Sequence, residues 1–315
     1  MAGDTTTEDD GNEERIMTTD RREPNGPTLT LVVGGTGKTG RRVAEKLAAK
    51  GLATRVVSRS TEIPFDWNDA TTWDAALDGV TAAYVTYSPD LAVPEAPDHI
   101  REFTRRANDR AVERLVLLSG RGEEEAQRCE QIALQTNSNW TVVRASWFHQ
   151  NFSEGPFLDG LLSGCLALPA GDVREPFIDS DDIADVAVAA LTEEGHGGEI
   201  YEVTGPRSLT FAEAVAEIAK ASGRELRYET IPVEAFVSGM REHGVPDPMI
   251  SLLRYLFETV LDGRNTETAD GVQRALGRAP RDLADYARDA AAAGAWGAPE
   301  TANRAEARSN AGGRS

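Results

Sequence analysis

The chain has 315 residues and carries 52 Asp or Glu against 33 Lys or Arg, a formal net charge of −19. Such a surface repels phosphate and argues against nucleic-acid binding, and no uninterrupted apolar run reaches the ~20 residues a membrane helix needs. The two cysteines, Cys129 and Cys165, make no disulfide framework, and no His/Cys cluster has zinc spacing, so no metal site is expected.

Residues 1–27 are rich in Thr, Asp, Glu and Gly without apolar periodicity and read as a disordered acidic leader. They lack the apolar centre of a signal peptide, so a soluble cytoplasmic protein is expected. A first strand over 30–33 then runs into Gly34, Gly35, Gly37 and Gly40, four glycines in seven residues. Gly35, Gly37 and Gly40 fit the dinucleotide pattern G-x-G-x-x-G. That pattern serves a sharp turn, a close approach of backbone to a diphosphate, and tight packing of helix on strand. A helix over 41–50 follows, closed by Gly51, and its N-terminus would offer free N–H groups to phosphate. Gly34, Thr36, Lys38 and Thr39 complete the expected phosphate loop. Gly37-Lys38-Thr39 mimics the end of a Walker A loop, but Val32 stands where that motif needs glycine, which excludes a nucleoside triphosphatase.

Strand two covers 53–58 and ends in Ser58-Arg59-Ser60, where an acidic residue would hold the ribose diol of NAD(H). Arginine cannot accept from a diol but pairs well with a 2′-phosphate, so Ser58 and Arg59 predict NADP(H) over NAD(H). Asp66 and Trp67 come next, at the adenine border. Asp66 is either an acceptor for the adenine amino group or a turn residue. Helices over 70–77, 99–108 and 123–135 alternate with strands over 81–86, 114–119 and 140–144. This alternation predicts an α/β fold, a Rossmann-type doubly wound parallel sheet.

The pattern loosens over 148–176, where Gly and Pro turns surround a short helix. A helix over 183–191 stands behind Asp179-Ser180-Asp181-Asp182, an acidic run that suits helix capping rather than a metal. A strand at 200–203 follows, and the rest is mostly helical with one strand near 226–231. The expected organisation is a nucleotide part (28–147 plus 177–206) and a smaller, mostly helical substrate lobe (148–176 plus 207–290) over the sheet's carboxyl edge. Residues 297–315 read as a disordered tail. The acidic balance and the scarcity of lysine fit either a GC-rich genome or a high-salt habitat.

Short-chain carbonyl reductases protonate the alkoxide with a Tyr-x-x-x-Lys dyad, whose lysine lowers the tyrosine pKa. Here no tyrosine lies between Tyr87 and Tyr201 and no lysine between Lys50 and Lys220. The acceptor would then be electrophilic enough to take hydride unaided, an iminium first and a quinone second. The alternative is a non-catalytic sensor of NADP(H).

Several segments together resemble the NmrA-like family of atypical short-chain dehydrogenases/reductases. They are Val33-Gly34-Gly35-Thr36-Gly37-Lys38-Thr39-Gly40, Ser119-Gly120-Arg121-Gly122-Glu123, Trp140-Thr141-Val142-Val143-Arg144, Trp147-Phe148-His149-Gln150-Asn151-Phe152, Ile178-Asp179-Ser180-Asp181-Asp182-Ile183-Ala184 and Tyr201-Glu202-Val203-Thr204-Gly205-Pro206. The Ser-Gly-Arg-Gly-Glu and Trp-Phe-x-x-Asn-Phe segments look like the festuclavine/agroclavine dehydrogenase branch. The resemblance implies an NADPH-dependent oxidoreductase acting on a small molecule, as a monomer or homodimer. It implies that Thr86, Tyr87 and Ser119 lie along the cofactor and that Ala145, Ser146, Trp147 and Phe148 border the nicotinamide. Asn151 and Phe152 would shape the pocket floor, and His149 would mark substrate divergence. Trp147, Phe148 and Phe152 have plain core packing as a rival role, and His149 an exposed helix start. No catalytic group is assigned; Ser119, His149 and Tyr87 are the candidates.

Overall fold

In the computed structural model, which describes Met1 and residues 29–297, the central strands are apolar on both faces. The leader, and all of the tail but Gly297, lie outside the described residues. Leu31 and Val33 of β1 (Leu29–Val33) enter one buried cluster and Val32 another. On β3 (Ala82–Val85) and β4 (Arg114–Gly120), Ala83, Val85, Leu115 and Leu117 join the first cluster, and Tyr84 and Val116 the second. Side chains alternate across a strand, so such a sheet must be covered twice. Helices α2 (Trp73–Leu77), α3 (Ala96–Asp109) and α4 (Glu124–Thr136) cover one face, and α1 (Lys38–Ala49) and α6 (Ser180–Thr192) the other.

With β2 (Ala53–Val57), β5 (Thr141–Ala145) and β8 (Ile200–Val203), these strands form a six-stranded parallel sheet in the order β2-β1-β3-β4-β5-β8. Beyond β2 the sheet continues for one bridge only, Ser58 to Pro64; proline has no N–H to extend a ladder. The strand order reverses between β1 and β3, and α1 and α3 leave on opposite faces. A crevice therefore opens at the carboxyl ends of these two strands, where open α/β sheets bind ligands.

A third core, built from Phe152, Phe157, Phe177, Phe211, Phe257 and Trp296 among others, forms the smaller lobe. It takes in α5 (Leu158–Leu162), β6 (Cys165–Leu168), α7 (Phe211–Ser222) and α11 (Leu283–Ala292). The expected strand near 226–231 is β10 (Arg227–Thr230), and its parallel partner is β6, which sequence reading missed. A two-residue pair, β7 (Arg174–Glu175) with β9 (Leu209–Thr210), and the helices α8 (Val233–Glu242) and α9 (Asp247–Tyr255) complete the lobe. Two boundaries differ from expectation. Helix α10 (Gly271–Leu276) packs through Val272 into the second sheet-face core rather than into the lobe. Trp296 donates its indole N–H to the Phe152 carbonyl at 2.8 Å, which carries the lobe's core past residue 290.

Helix α1 starts at Lys38, earlier than its apolar spacing suggested, because the loop's last turn is already helical. Helix α3 starts at Ala96 with Pro97 in its first turn, where a missing N–H costs nothing. Asp179 caps α6, accepting from the Asp181 N–H at 2.9 Å, and Asp182 accepts from the Arg281 N–H at 2.7 Å. Among the described residues, no group of three or more His, Cys, Asp or Glu is placed to hold a metal, and no helix is long and apolar enough to cross a membrane. Both cysteines are free; Cys129 is wholly buried rather than half-buried, which pushes its thiol up to about 12.

Helix α1 lies directly on the backbone of the loop before it. A Cβ added at Gly40 would lie 2.4 Å from the Gly34 carbonyl oxygen and 2.8 Å from the Gly35 Cα, both backbone atoms that cannot swing aside. Gly40→Ala is expected to destabilise the protein by roughly 1–3 kcal/mol, as overpacking does. It should also weaken cofactor binding more than it lowers the melting temperature of the lobe. Denaturant unfolding together with cofactor titration checks both effects.

Candidate functional site

After β1 the chain turns at Gly34, whose φ is +70°. A Cβ there would sit 2.1 Å from the Thr86 Oγ1, and that hydroxyl donates to the Val33 carbonyl at 3.0 Å. Torsion and crowding both require glycine. Gly37 caps α1 without a side-chain bond, and the first turn holds no carboxylate. Its N–H groups therefore face an anion site that no side chain fills.

From this turn a groove of about 380 Å³ extends along the strand ends. Gly34, Thr36, Gly37, Lys38 and Thr39 line one side, Ser58, Arg59, Asp66 and Trp67 the β2 end, and Thr86, Tyr87 and Phe148 the other end. Gly35 and Gly40 do not line it; Gly35 packs on Val56 and Gly40 on the loop backbone, so they let the groove form from behind. Arg59 is exposed and makes no ion pair among the described residues, whereas Arg41 and Arg42 are paired to Glu154. The Asp66 Oδ1 accepts from the Asn68 N–H at 3.0 Å, which is the turn role, while the residue also borders the groove. Trp67 is nearly buried, donates to the Thr86 carbonyl at 3.1 Å and packs edge-on against Phe65. A glycine turn, a bare helix terminus and an unpaired arginine at the β2 end fit a nicotinamide dinucleotide carrying a 2′-phosphate.

The groove borders a second cavity of about 490 Å³, and the two share Lys38, Thr86, Tyr87, Pro89, Leu118 and Phe148. Ser119, Ala145 and Ser146 form its floor at the ends of β4 and β5. Phe236 from α8, Met249, Leu252 and Leu253 from α9, and Leu256 and Phe257 from the single π turn that follows roof it. Trp147 stacks on Phe157 with centroids 6.0 Å apart and closes one side. Lys38 reaches in from α1 and donates its Nζ to the Asn151 Oδ1 at 3.1 Å. Burial holds this ammonium below its usual range, partly opposed by Glu154 and reinforced by Arg41 and Arg42.

Two expected pocket residues lie elsewhere. His149 lines neither cavity and is wholly buried, so it is no exposed helix start either. Its Nε2 pairs with the Phe177 carbonyl at 2.9 Å and its Nδ1 lies 3.8 Å from Asp179. Phe148 pairs with Ile178 in a parallel bridge and is the last extended residue before a 3-10 turn over His149–Phe152; Phe148 faces the cavity, while the turn carries His149 away from it. Burial raises the Asp179 carboxyl, but His149, the Asp181 N–H and the Gln150 amide outweigh it and hold Asp179 below the carboxylate range. Phe152 belongs to the lobe's core, not the pocket floor. The other catalytic candidates are also engaged. The Ser119 hydroxyl donates to the Glu130 Oε1 at 2.6 Å, and Glu130 in turn accepts from the Arg144 Nε at 2.9 Å. The Tyr87 hydroxyl lies 2.7 Å from the His99 Nδ1, a partner that spacing did not reveal, and burial pushes it up to about 12.

Sequence reading missed two carboxyl groups that line the cavity, Asp90 and Glu123. Asp90 sits in the loop after β3 and Glu123 at the cap of α4, and no local spacing connects them. Glu123 is buried and its Oε2 has no hydrogen-bond partner among the described residues. Burial, with the Asp90 charge beside it, holds Glu123 well above the usual carboxyl range.

Glu175 lies behind Ser146 and Trp147 at 1% exposure. Burial pushes its carboxyl up to about 7, and the Trp147 N–H, Arg121 and Ser146 offset this only in part. The folded pKa is raised, so the stabilisation from the protonated form is intact below about pH 4.3 and lost as pH climbs to about 7. Glu175→Gln should therefore match the wild type near pH 4 and exceed its stability at pH 8 by up to roughly 3 kcal/mol. Denaturant midpoints at the two pH values check this; an equal difference at both would count against a neutral buried Glu175.

No family model matches the chain. It is 30% identical to the uncharacterized oxidoreductase YesF of Bacillus subtilis over 277 residues, covering 84% of this chain and 96% of that one. It is 28% identical to festuclavine dehydrogenase easG of Aspergillus fumigatus, covering 82% and 96%. The structure of Citrobacter sp. triphenylmethane reductase complexed with NADP(H) superposes with a TM-score of 0.67 at 19% identity, covering 84% and 100%. Sheet, glycine turn and joined cavities define a nicotinamide-dinucleotide reductase fold. The chain belongs to the NmrA-like family of atypical short-chain dehydrogenases/reductases and is an NAD(P)H-dependent oxidoreductase.

Proposed function

We propose that the protein takes hydride from NADPH and delivers it to a small, largely apolar electrophile of iminium or quinone type, without a Tyr-x-x-x-Lys dyad. The observation that carries this reading is the shared border of the two cavities: a groove lined by Arg59 at one end meets, at Phe148, a chamber roofed by aromatic and aliphatic side chains. The Gly34 turn and the α1 terminus would hold the diphosphate, with Lys38 beside it, and Arg59 would pair with the 2′-phosphate. Ala145, Ser146 and Phe148 would fix the ring that supplies hydride. The apolar roof would orient the acceptor against that ring, which supports catalysis over a sensing role. Such a chamber suits a flat hydrocarbon-rich acceptor better than a sugar or an amino acid.

Wild-type protein should bind NADPH at least about tenfold more tightly than NADH, and Arg59→Ala should bring the two affinities together by weakening NADPH alone, as loss of a charge-assisted pair does. Calorimetric titration of both cofactors reads this directly, and an unchanged ratio would refute the role of Arg59. Loss of NADPH absorbance in the presence of quinones and cyclic imines tests turnover. Tight cofactor binding with no oxidation across both classes would overturn the proposed reaction.

A further inference from the structure

We propose that Glu123, held by Asp90, is the proton donor of this chamber, and that the chamber therefore serves neutral acceptors that need a proton, such as quinones, ahead of iminium ions. The inference rests on reading the chamber as a site of hydride transfer. Both carboxyl groups line the same cavity as Ser146 and Phe148. They are near enough on that wall for the charge of Asp90 to raise the Glu123 carboxyl. Burial raises the Asp90 carboxyl too, but its Oδ1 accepts from the Ala92 N–H at 2.9 Å, a bond that opposes the rise and that Glu123 lacks. Glu123 lies against Gly120 at the end of β4, with one oxygen lacking any partner in a chamber whose opposite wall is apolar. Two carboxylates that close cannot both ionise cheaply in such surroundings, so the pair keeps one shared proton, mostly on Glu123.

Other groups face the pair. Glu130 and Cys129 approach from α4 and Tyr255 from α9, while Tyr87 and Arg121 stand on the cavity wall. Glu130 adds negative charge but is neutralised by Arg144. Arg121 is turned away to Glu202 and to the Asn265 carbonyl. Ser119 and Tyr87 already have partners, Lys38 is engaged by Asn151 at the border with the groove, and the Ser146 hydroxyl on the floor, unpartnered among the described residues, is far too weak an acid to give up a proton unaided, which leaves Glu123 as the acid of this wall.

The step balances for a quinone. The acceptor gains a hydride with both electrons of the nicotinamide C–H bond. Glu123 breaks its O–H bond and gives that proton to the oxygen that would otherwise become an anion. Hydroquinone and oxidised cofactor result, and the doubly ionised pair regains its proton from water. An iminium needs hydride alone and gains nothing from the donor.

The test compares wild type, Glu123→Gln and Asp90→Asn. Infrared difference spectra of cofactor-free protein at pH 7 should show a protonated-carboxyl C=O band that Glu123→Gln removes. Glu123→Gln should lower quinone kcat/KM at least about a hundredfold, within the range for a general acid, and lower it at least about tenfold more than it lowers cyclic-imine reduction. In Asp90→Asn the fall of quinone kcat/KM with rising pH should move to lower pH, because the neighbouring charge that retains the proton is gone. Calorimetric NADPH binding reports folding of each variant. An absent band, an unchanged ratio between acceptor classes, or an alkaline limb that stays in place would overturn the proposal while leaving hydride transfer standing. Wild type that binds NADPH but reduces neither acceptor class would sink the underlying reading and this one with it.

Discussion

The backbone contact between the end of β1 and the first turn of α1 is the constraint on which the site depends. Gly34 turns with positive φ under the Thr86 hydroxyl, and Gly40 brings the helix onto the loop. With no side chain in between, the helix terminus points straight at the crevice where the strand order reverses. The position of the groove follows from where that terminus aims.

Sheet and lobe contribute differently. The sheet is rigid because each inner strand is buried on both faces, and it fixes Thr86, Ser119, Ala145 and Ser146 at its ends. Below the chamber floor, Ser119, Glu130, Arg144 and Glu202 form a linked polar network. Removing one member of such a network leaves a buried charge unpaired, which typically costs several kcal/mol. The lobe is held by aromatic contacts instead: Phe177 meets Phe211 edge-on at 5.0 Å, and Phe152 meets Phe157 at 5.3 Å. Such edge-to-face and tilted pairs have preferred geometries, and they hold together the lobe whose helices α8 and α9 roof the chamber.

Much of this was legible in the residues. The glycine spacing announced the turn, alternating apolar runs announced the parallel sheet, and Arg59 stood out because no acid occupies its place. What was not legible depends on contacts between distant segments. Strand β6 is four residues long and finds its partner far along the chain, so neither length nor pattern marked it. His149 follows two cavity-lining aromatics in sequence, yet it opens a 3-10 turn that buries it on the other side, beside Phe177 and Asp179. Asp90 and Glu123 come from separate loops, and only the closure of the sheet brings them to one wall.

The shared border of the two cavities has a kinetic meaning. Lys38, Thr86, Tyr87, Pro89, Leu118 and Phe148 line both, so the two spaces meet at these side chains. A dinucleotide seated in the groove would itself supply the missing side of the chamber. The acceptor's berth would then be complete only after the first guest has arrived, which favours an ordered sequence of binding over a random one.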